Sequence, residues 1–225
     1  MQKKIAVIND LSGYGRCSLT VAIPVLSAMG HQCCPIPTAI LSNHTEFPVY
    51  FFDDYTEKMT TYTDKWKELG LSFDAIATGF LGSEAQIGIV MEIVQKLKAE
   101  KTFVVVDPVM GDHGHAYETY TPEMCEQMKE LVCMAEVVLP NVTECCILTD
   151  TPYREENWTR KELLNMAMML RRNLWSSQEC GREAATPMWF WSRDSTMQNL
   201  SGQGPPVESV REPEMYFPLL WRARY

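Results

Sequence analysis

The sequence lacks the features that mark membrane proteins and nucleic-acid-binding proteins. No stretch approaches the roughly 18–20 consecutive apolar residues of a membrane helix, and the apolar run after Met1-Gln2-Lys3-Lys4 is too short for a signal peptide. Positive charge is also scarce, because 20 Lys and Arg residues face 29 Asp and Glu residues and leave a net charge of −9. Such a balance gives no support to binding of nucleic acid or of an anionic membrane. We therefore expect a cytoplasmic protein whose partners are small molecules.

The eight cysteines form no CxxC pair, the spacing that is typical of metal sites and redox motifs. Two adjacent pairs, Cys33-Cys34 and Cys145-Cys146, lie inside apolar segments. Without a secretory signal, this distribution favours reduced, buried thiols over disulfides. The 225 residues, 46% of them hydrophobic, are enough to bury the core of one domain.

Short apolar runs alternate with longer amphipathic segments through the first 172 residues. The runs predict strands at 5–8, 33–37, 73–77, 102–106 and 137–139, and the amphipathic segments predict helices at 18–29, 55–69, 85–97, 122–132, 143–148 and 158–172. This alternation predicts an α/β fold with a mostly parallel sheet and helices on both faces. In such sheets ligands bind beyond the carboxyl ends of the strands, so polar residues that follow strands are the functional candidates.

A run of four hydrogen-bonding side chains, Ser42-Asn43-His44-Thr45, follows the apolar residues 39–41. Such residues cap turns and helix starts, so the run predicts either a capped turn or a set of ligand contacts. His44 is equally compatible with a packed or hydrogen-bonded core histidine. The run alone does not decide between these interpretations.

Two further polar clusters follow predicted strands. Asp107 ends an apolar strand and Asp112 lies five residues on, past a glycine; the pair suits either an Mg²⁺ ion near phosphates or an Asp-Pro turn with a solvated second carboxylate. Asn141 stands at a strand-to-helix junction with Glu144 three residues later. That spacing predicts a capping box, and the alternative is contact with a phosphate and with metal-bound water.

The order and spacing of these clusters resemble the pyridoxal/pyridoxamine kinase branch of the ribokinase superfamily, which also contains the hydroxymethylpyrimidine kinases. The resemblance covers about residues 4–172, and the fold that it implies is a three-layer, mostly parallel sheet. The motifs that carry it are the Tyr14-Gly15 turn, the Ser42-Asn43-His44-Thr45 run, Thr78-Gly79-Phe80, the Asp-Pro-Val-Met-Gly-Asp block at 107–112, and Pro140-Asn141 with Glu144.

The resemblance implies transfer of the γ-phosphoryl group of ATP to the 5′-hydroxymethyl of a B6 vitamer, with Mg²⁺ and, as a further candidate, a monovalent cation. A homodimer is implied by analogy. Many pyridoxal kinases carry serine at the position of Asp10, so hydroxymethylpyrimidine kinase activity stays open as an alternative. The implied substrate-binding residues are Asp10 or Ser12, Thr45 and Phe80; the nucleotide-binding residues are Asp112, Tyr120 and Asn141; and the metal-binding residues are Asp107, Asp112 and Glu144.

One element that the resemblance requires is missing from the sequence. The family places a Gly-Thr-Gly-Asp turn at the start of a late helix, where backbone N–H groups neutralise the transferring phosphate and the aspartate acts as the base. No such motif occurs in the 225 residues. We therefore assign no catalytic residue, and we expect activity to be severely impaired.

The chain changes character near Arg172. All ten lysines lie at or before Lys161, whereas four of the six tryptophans lie within residues 173–225. These 53 residues also lack helical or strand periodicity over useful lengths. We interpret residues 1–172 as an incomplete kinase core and residues 173–225 as an aberrant tail that is disordered or weakly packed.

A shifted reading frame explains the tail. When the third base of each codon is grouped with the first two bases of the next, permitted codons convert residues 211–218 into Gly-Thr-Gly-Asp-Val-Phe-Ser. The same shift converts Met188-Trp189-Phe190-Trp191 into Val-Val-Leu, an apolar strand, whatever codons are used. The alternative explanation of the tail is an atypical but genuine C-terminal extension. For the function of the chain, the alternative from another class is a non-catalytic protein that still binds vitamer or nucleotide, or a half-protein that pairs with an intact subunit.

Overall fold

The computed structural model describes residues 2–45, 47–155, 158–175, 189–192 and 195–199. The strands are β1 (Lys4–Tyr14), β2 (Gln32–Asn43), β3 (Phe52–Asp54), β4 (Ala75–Thr78), β5 (Phe103–Val106), β6 (Gly111–Asp112), β7 (His115–Ala116), β8 (Val137–Val138), β9 (Trp189–Ser192) and β10 (Ser195–Asn199). The helices are α1 (Ser18–Ala28), α2 (Thr56–Glu68), α3 (Glu84–Leu97), α4 (Pro122–Cys133), α5 (Val142–Thr149) and α6 (Arg160–Trp175). The chain divides into two compact units between Val104 and Val105.

In the first unit, four strands lie side by side in the order β3-β2-β1-β4. Strand β1 pairs in parallel with both β2 and β4, and β3 runs antiparallel to β2 at the edge. All four residues of β4 are buried, as expected of a strand whose two faces are covered. The parallel arrangement places the carboxyl ends of β1, β2 and β4 at one edge of the sheet.

Helices cover both faces of this sheet. The chain passes from β1 through α1 to β2 on one side of β1, and then from β2 through α2 to β4 on the other side. Because such crossovers are right-handed, α1 and α2 must lie on opposite faces. Helix α1 packs on β1 and β2, while α2 packs on β2 and on α3. The predicted α/β fold with helices on both faces is confirmed.

The local sequence explains where the helices begin and what they bury. The Ser83 hydroxyl accepts a hydrogen bond from the N–H of Gln86 and caps α3, and the Thr121 hydroxyl does the same for α4, with Pro122 in its first turn. The buried apolar residues of α3 recur at helical spacing and form one face of the helix: Ile87, Val90, Ile93, Val94 and Leu97.

In the second unit, the end of β5 pairs in parallel with β8, Val105 opposite Val137 and Val106 opposite Val138. A short antiparallel hairpin, β6–β7, follows β5. Helix α5 begins directly after β8, and it packs against α4 and α6. The loop after β5 and the start of α5 therefore follow the carboxyl ends of two neighbouring parallel strands in the same unit.

Several element bounds differ from the sequence prediction. Strand β2 runs to Asn43 instead of ending at residue 37, because its second half pairs with both β1 and β3. Ser42 and Asn43 thus lie inside a strand. Strand β1 likewise extends to Tyr14, through the segment predicted as a turn. The short strands β3, β6 and β7 were not predicted.

The predicted boundary at residue 172 lies within α6, which runs through Trp175. Within residues 173–225, the structure also describes β9 and β10, which pair antiparallel. The remainder of that segment, including residues 211–218, lies outside the described residues. The division into a core and an aberrant tail stays a prediction.

The prediction of reduced thiols is confirmed for six cysteines and wrong for Cys133. Cys17, Cys33, Cys34, Cys125, Cys145 and Cys146 are free, whereas Cys133 is disulfide-bonded. Among the helices that the structure describes, none has the length and apolar character needed to cross a membrane.

Candidate active site

The second half of strand β1 contains two buried polar residues, Asp10 and Ser12, which are 7% and 1% exposed. The Ser12 hydroxyl donates a hydrogen bond to Asp10 Oδ2 at 3.0 Å, and the Ser18 hydroxyl at the start of α1 donates to Asp10 Oδ1 at 2.5 Å. Ser18 has a φ of +51°, a conformation that side-chain-bearing residues rarely adopt. The strand end and the helix start are therefore joined through one carboxylate.

The strand order predicts the ligand crevice of the first unit between β1 and β4. These neighbours lead to helices on opposite faces, and such a reversal opens a cleft at the carboxyl ends of the strands. Asp10 and Ser12 lie on the β1 side, and Phe80, which is half-buried, follows β4. Three of the four predicted substrate residues are thus placed around this cleft.

Asn9 is a residue of this cleft that sequence reasoning missed. Its side-chain oxygen accepts hydrogen bonds from the backbone N–H of Asp10 at 3.0 Å and from that of Phe80 at 3.1 Å. Asn9 therefore fixes the backbone on both sides of the cleft. The available signal was that Asn9 is the polar residue that ends the apolar run 5–8, directly before Asp10.

Gly79 is required by the closeness of Asn9. A Cβ at position 79 would lie 2.3 Å from Asn9 Nδ2. Because two hydrogen bonds hold the Asn9 amide, we expect Gly79→Ala to lower the free energy of unfolding by about 1–3 kcal/mol. In an Asn9→Ala background the same change should cost less than about 1 kcal/mol, since the obstructing amide is gone.

Urea denaturation of the four members of this mutant cycle measures the coupling. Gly88→Ala is the matched control, because no atom lies within 4 Å of its added Cβ. In the interior of α3 that change should raise stability by about 0.5–1 kcal/mol. An equal cost of Gly79→Ala in both backgrounds would contradict the role given to Asn9.

The Ser42-Asn43-His44-Thr45 run organises the connection between β2 and β3. The Ser42 hydroxyl accepts from the N–H of Phe51 at 2.8 Å, and Asn43 Nδ2 donates to the carbonyl of Val49 at 3.0 Å. These bonds match the capped-turn interpretation. Thr45, the fourth predicted substrate residue, is exposed in the turn.

The ring of His44 lies so close to Gly15 that no side chain fits at position 15. The ring carbon Cδ2 would be 2.5 Å from a Cβ at Gly15, whose φ is +123°. The ring also contacts Phe47, with centroids 4.6 Å apart. His44 is therefore packed into the turn, where it is half-buried and not part of the core.

In the second unit, Asn141 and Glu144 form a complete capping box at the start of α5. Asn141 Oδ1 accepts from the N–H of Glu144 at 2.9 Å, and Glu144 Oε2 accepts from the N–H of Asn141 at 2.7 Å. The capping interpretation of this spacing is confirmed. It leaves further hydrogen-bonding capacity on both side chains.

The remaining donor and acceptor atoms of these two side chains form hydrogen bonds with the loop after β5. Glu144 Oε1 accepts from the N–H of Met110 at 3.3 Å, and Asn141 Nδ2 donates to the carbonyl of Gly111 at 2.9 Å. The hydroxyl of Thr143 accepts from the N–H of Gly114 at 2.9 Å. Three side chains from the first turn of α5 thus fix the segment that contains Asp112.

Tyr120 places an unsatisfied hydroxyl in this unit. The residue is 7% exposed, and its oxygen has no hydrogen-bond partner among the described residues. Burial raises the pKa of Tyr120, and nearby Cys125, Glu144 and Asp107 raise it further. The hydroxyl is therefore a neutral donor at physiological pH, suited to an anionic ligand atom.

The three predicted metal ligands do not form one cluster. Within the described ranges, no three His, Cys, Asp or Glu side chains form a group able to hold a metal ion. Both oxygens of Glu144 accept backbone hydrogen bonds, and Asp112 Oδ1 accepts from the N–H of His113 at 2.8 Å. Asp107 and Asp112 as donors fit Mg²⁺, which keeps several waters and binds through one or two carboxylates and phosphates.

The mostly parallel α/β sheet with polar residues after its strands agrees with the fold that the motif resemblance implied. The chain belongs to the phosphomethylpyrimidine kinase family, whose sequence model matches residues 22–178. The resemblance inferred from the motifs is thereby confirmed at the level of the family.

Relatives and solved structures agree with this family. The pyridoxal kinase of Dictyostelium discoideum is 30% identical over 156 residues, which are 66% of this chain and 51% of that protein. A phosphomethylpyrimidine kinase structure from Bacteroides thetaiotaomicron shares 46% identity, with a TM-score of 0.73 over 75% of this chain and 58% of the other. A second crystal form, determined with pyridoxal, shares 42% identity over 84% of this chain and 63% of the other, again with a TM-score of 0.73.

The chain spans about half the length of the curated relatives that it matches. The Lactobacillus plantarum pyridoxal kinase covers 99% of this chain with a TM-score of 0.75, and at 24% identity it shows the fold alone. The Gly-Thr-Gly-Asp turn that the family resemblance requires is absent from the sequence.

Proposed function

We propose that this chain derives from an ATP-dependent kinase for the 5′-hydroxymethyl group of a B6 vitamer. The observation that carries the proposal is the set of buried polar residues near the carboxyl ends of β1 and β4, in a chain 42% identical to a structure determined with pyridoxal. Hydroxymethylpyrimidine kinase is the second candidate, favoured by the match to the phosphomethylpyrimidine kinase family.

The residues divide between the two partners of the reaction. In the first unit, Asp10, Ser12, Thr45 and Phe80 bind the alcohol substrate. In the second unit, Asn141 and Tyr120 contact the nucleotide, while Asp107 and Asp112 hold Mg²⁺ with the ATP phosphates. Glu144 is a positioning residue for these carboxylates, because it fixes the loop that carries Asp112. A monovalent cation and a homodimer remain part of the proposal.

We also propose that residues 173–225 are read out of frame. The support is in the sequence: the tail lacks lysine, and one alternative frame of residues 211–218 encodes the missing Gly-Thr-Gly-Asp segment for permitted codons. Phosphoryl transfer depends on positioning and on neutralising charge, so loss of that segment removes both the base and the anion-binding N–H groups. The nucleotide sequence encoding residues 165–225, read in all three frames, tests this directly.

The chain is expected to bind a vitamer without turning it over at a normal rate. Calorimetric titration with pyridoxal and with the hydroxymethylpyrimidine measures binding, and a coupled ADP assay with each alcohol measures turnover. Kinases of this kind turn over at about 1–100 per second, and we expect a rate at least about 10³-fold lower. Turnover in the normal range would refute the impairment, and no binding of either alcohol would refute the proposed site.

A further inference from the structure

We propose that Asp10 selects substrates whose heteroaromatic ring presents an N–H donor to its carboxylate. The inference rests on the proposed function and adds to it the chemical class of the ring. Among vitamers, the protonated pyridine nitrogen fits this class, and among pyrimidines the exocyclic amino group does. A ring that offers only a lone pair at that point is excluded.

The first observation is the surroundings of the carboxylate. Asp10 is only 7% exposed, and its hydrogen bonds come from two neutral hydroxyls, those of Ser12 and Ser18. No ion pair among the described residues includes Asp10. A buried carboxylate without a cation costs several kcal/mol unless something compensates for it. The two serines hold the group in place, and they leave its charge unneutralised.

The second observation is an unsatisfied hydroxyl on the neighbouring strand. Thr78 is 6% exposed, and its Oγ1 has no hydrogen-bond partner among the described residues. Thr78 pairs with Ile8 across the sheet, and side chains alternate along a strand, so Thr78 lies on the same face as Ile8 and Asp10. The Asp10 carboxylate and the Thr78 hydroxyl, both able to form further hydrogen bonds, therefore lie on the same face of the sheet at adjacent strand ends.

The chemistry of the two groups defines the ligand. An ionised carboxylate only accepts hydrogen bonds, and it has roughly four lone-pair positions, of which the serines use two. The ligand atom that faces Asp10 must therefore donate. A threonine hydroxyl both donates and accepts, so Thr78 places no such restriction on the neighbouring ligand atom. Asp10 is consequently the residue that discriminates between rings.

The direction of the pH dependence follows from this requirement. While a pyridine nitrogen is protonated, it donates to Asp10; once it loses the proton, its lone pair meets the carboxylate lone pairs and repels them. Affinity of the chain for pyridoxine should therefore fall as pH rises through the pKa of the ring nitrogen. The side-chain amide of an Asp10→Asn variant, which can rotate to donate or accept, would not impose this dependence.

The test measures binding of pyridoxine, pyridoxamine and 4-amino-5-hydroxymethyl-2-methylpyrimidine to the full chain and to Asp10→Asn, across a pH series. Hydrogen bonds to charged groups contribute about 1.5–3 kcal/mol, so we expect the substitution to weaken binding of the preferred ligand roughly 10- to 100-fold and to flatten its pH profile. Asp53→Asn is the matched control, because it removes an exposed carboxylate of the same unit that pairs with Lys58 at 3.6 Å.

The outcomes separate this inference from the proposed function. Unchanged affinity and an unchanged pH profile in Asp10→Asn would overturn the inference alone. Dependence on Asp10 for the pyrimidine and not for the vitamers would support the inference and overturn the B6 assignment. Absence of binding to the unaltered chain would overturn both. The pH profile of the unaltered chain tests the inference even where the variant fails to fold, since a flat or rising profile for pyridoxine contradicts it.

Discussion

Insertion of one base in the codons near residue 172 is expected to raise kinase activity by roughly 10³-fold or more. The insertion shifts the downstream frame, and with the permitted codons the bases now read as residues 211–218 then encode Gly-Thr-Gly-Asp-Val-Phe-Ser, as proposed above. Backbone N–H groups at the start of a helix then become available to the transferring phosphate, and an aspartate to the substrate hydroxyl.

The size of the gain follows from what is restored. A single anion-hole donor contributes about 10²–10³ in rate, and a positioned general base about 10²–10⁴. The two act on the same transition state, so their contributions do not simply multiply. A gain of roughly 10³-fold is therefore the lower end of the expectation.

The measurement is kcat for pyridoxal in the frame-restored protein beside the original chain. Insertion of three bases at the same place is the matched control, since it lengthens the chain and leaves the tail in its present frame; it should give no gain. Replacing the aspartate of the restored segment by asparagine should remove most of the gain, roughly 10²-fold or more. A folded, frame-restored protein whose kcat does not exceed that of the original chain would contradict the frameshift proposal.

The sequence was a good guide where local pattern and burial agree. Apolar runs such as 102–106 predicted the buried strands because two covered faces demand continuous apolar residues. The short strands β3, β6 and β7 were not predicted, because a segment of two or three residues shows no periodicity. Whether such a segment forms a strand depends on the strand with which it pairs. The end of β2 was missed for the same reason: the strand continues to Asn43 because β1 runs beside it, with Tyr14 opposite Asn43.

Long-range roles of individual side chains were the least predictable. The capping box of Asn141 and Glu144 is legible from a spacing of three, and the structure contains it. Their bonds to Met110 and Gly111, about 30 residues earlier, are not encoded in any local pattern. Asn9 is similar, because its importance depends on Gly79, a residue 70 positions away. Such contacts become visible only once the strands are adjacent.

Glu144→Ala is expected to destabilise the second unit by about 2–4 kcal/mol. The side chain is 3% exposed, and it accepts hydrogen bonds from the backbone N–H groups of Met110 and Asn141. Its removal leaves both donors unsatisfied, in a buried environment where each costs about 1–3 kcal/mol. Glu144→Gln should lose less, because the amide oxygen retains one of the two bonds.

Hydrogen exchange followed by mass spectrometry gives a local readout of this change. The amides of Met110 and Asn141 should exchange roughly 10²-fold faster in Glu144→Ala, which is about 2.7 kcal/mol of lost protection. Glu126→Ala is the matched control, because Glu126 is an exposed helical glutamate in the same unit that pairs with Lys129 at 2.8 Å, and such a pair contributes little. Unchanged exchange at Met110 and Asn141 would show that Glu144 does not hold the β5 loop.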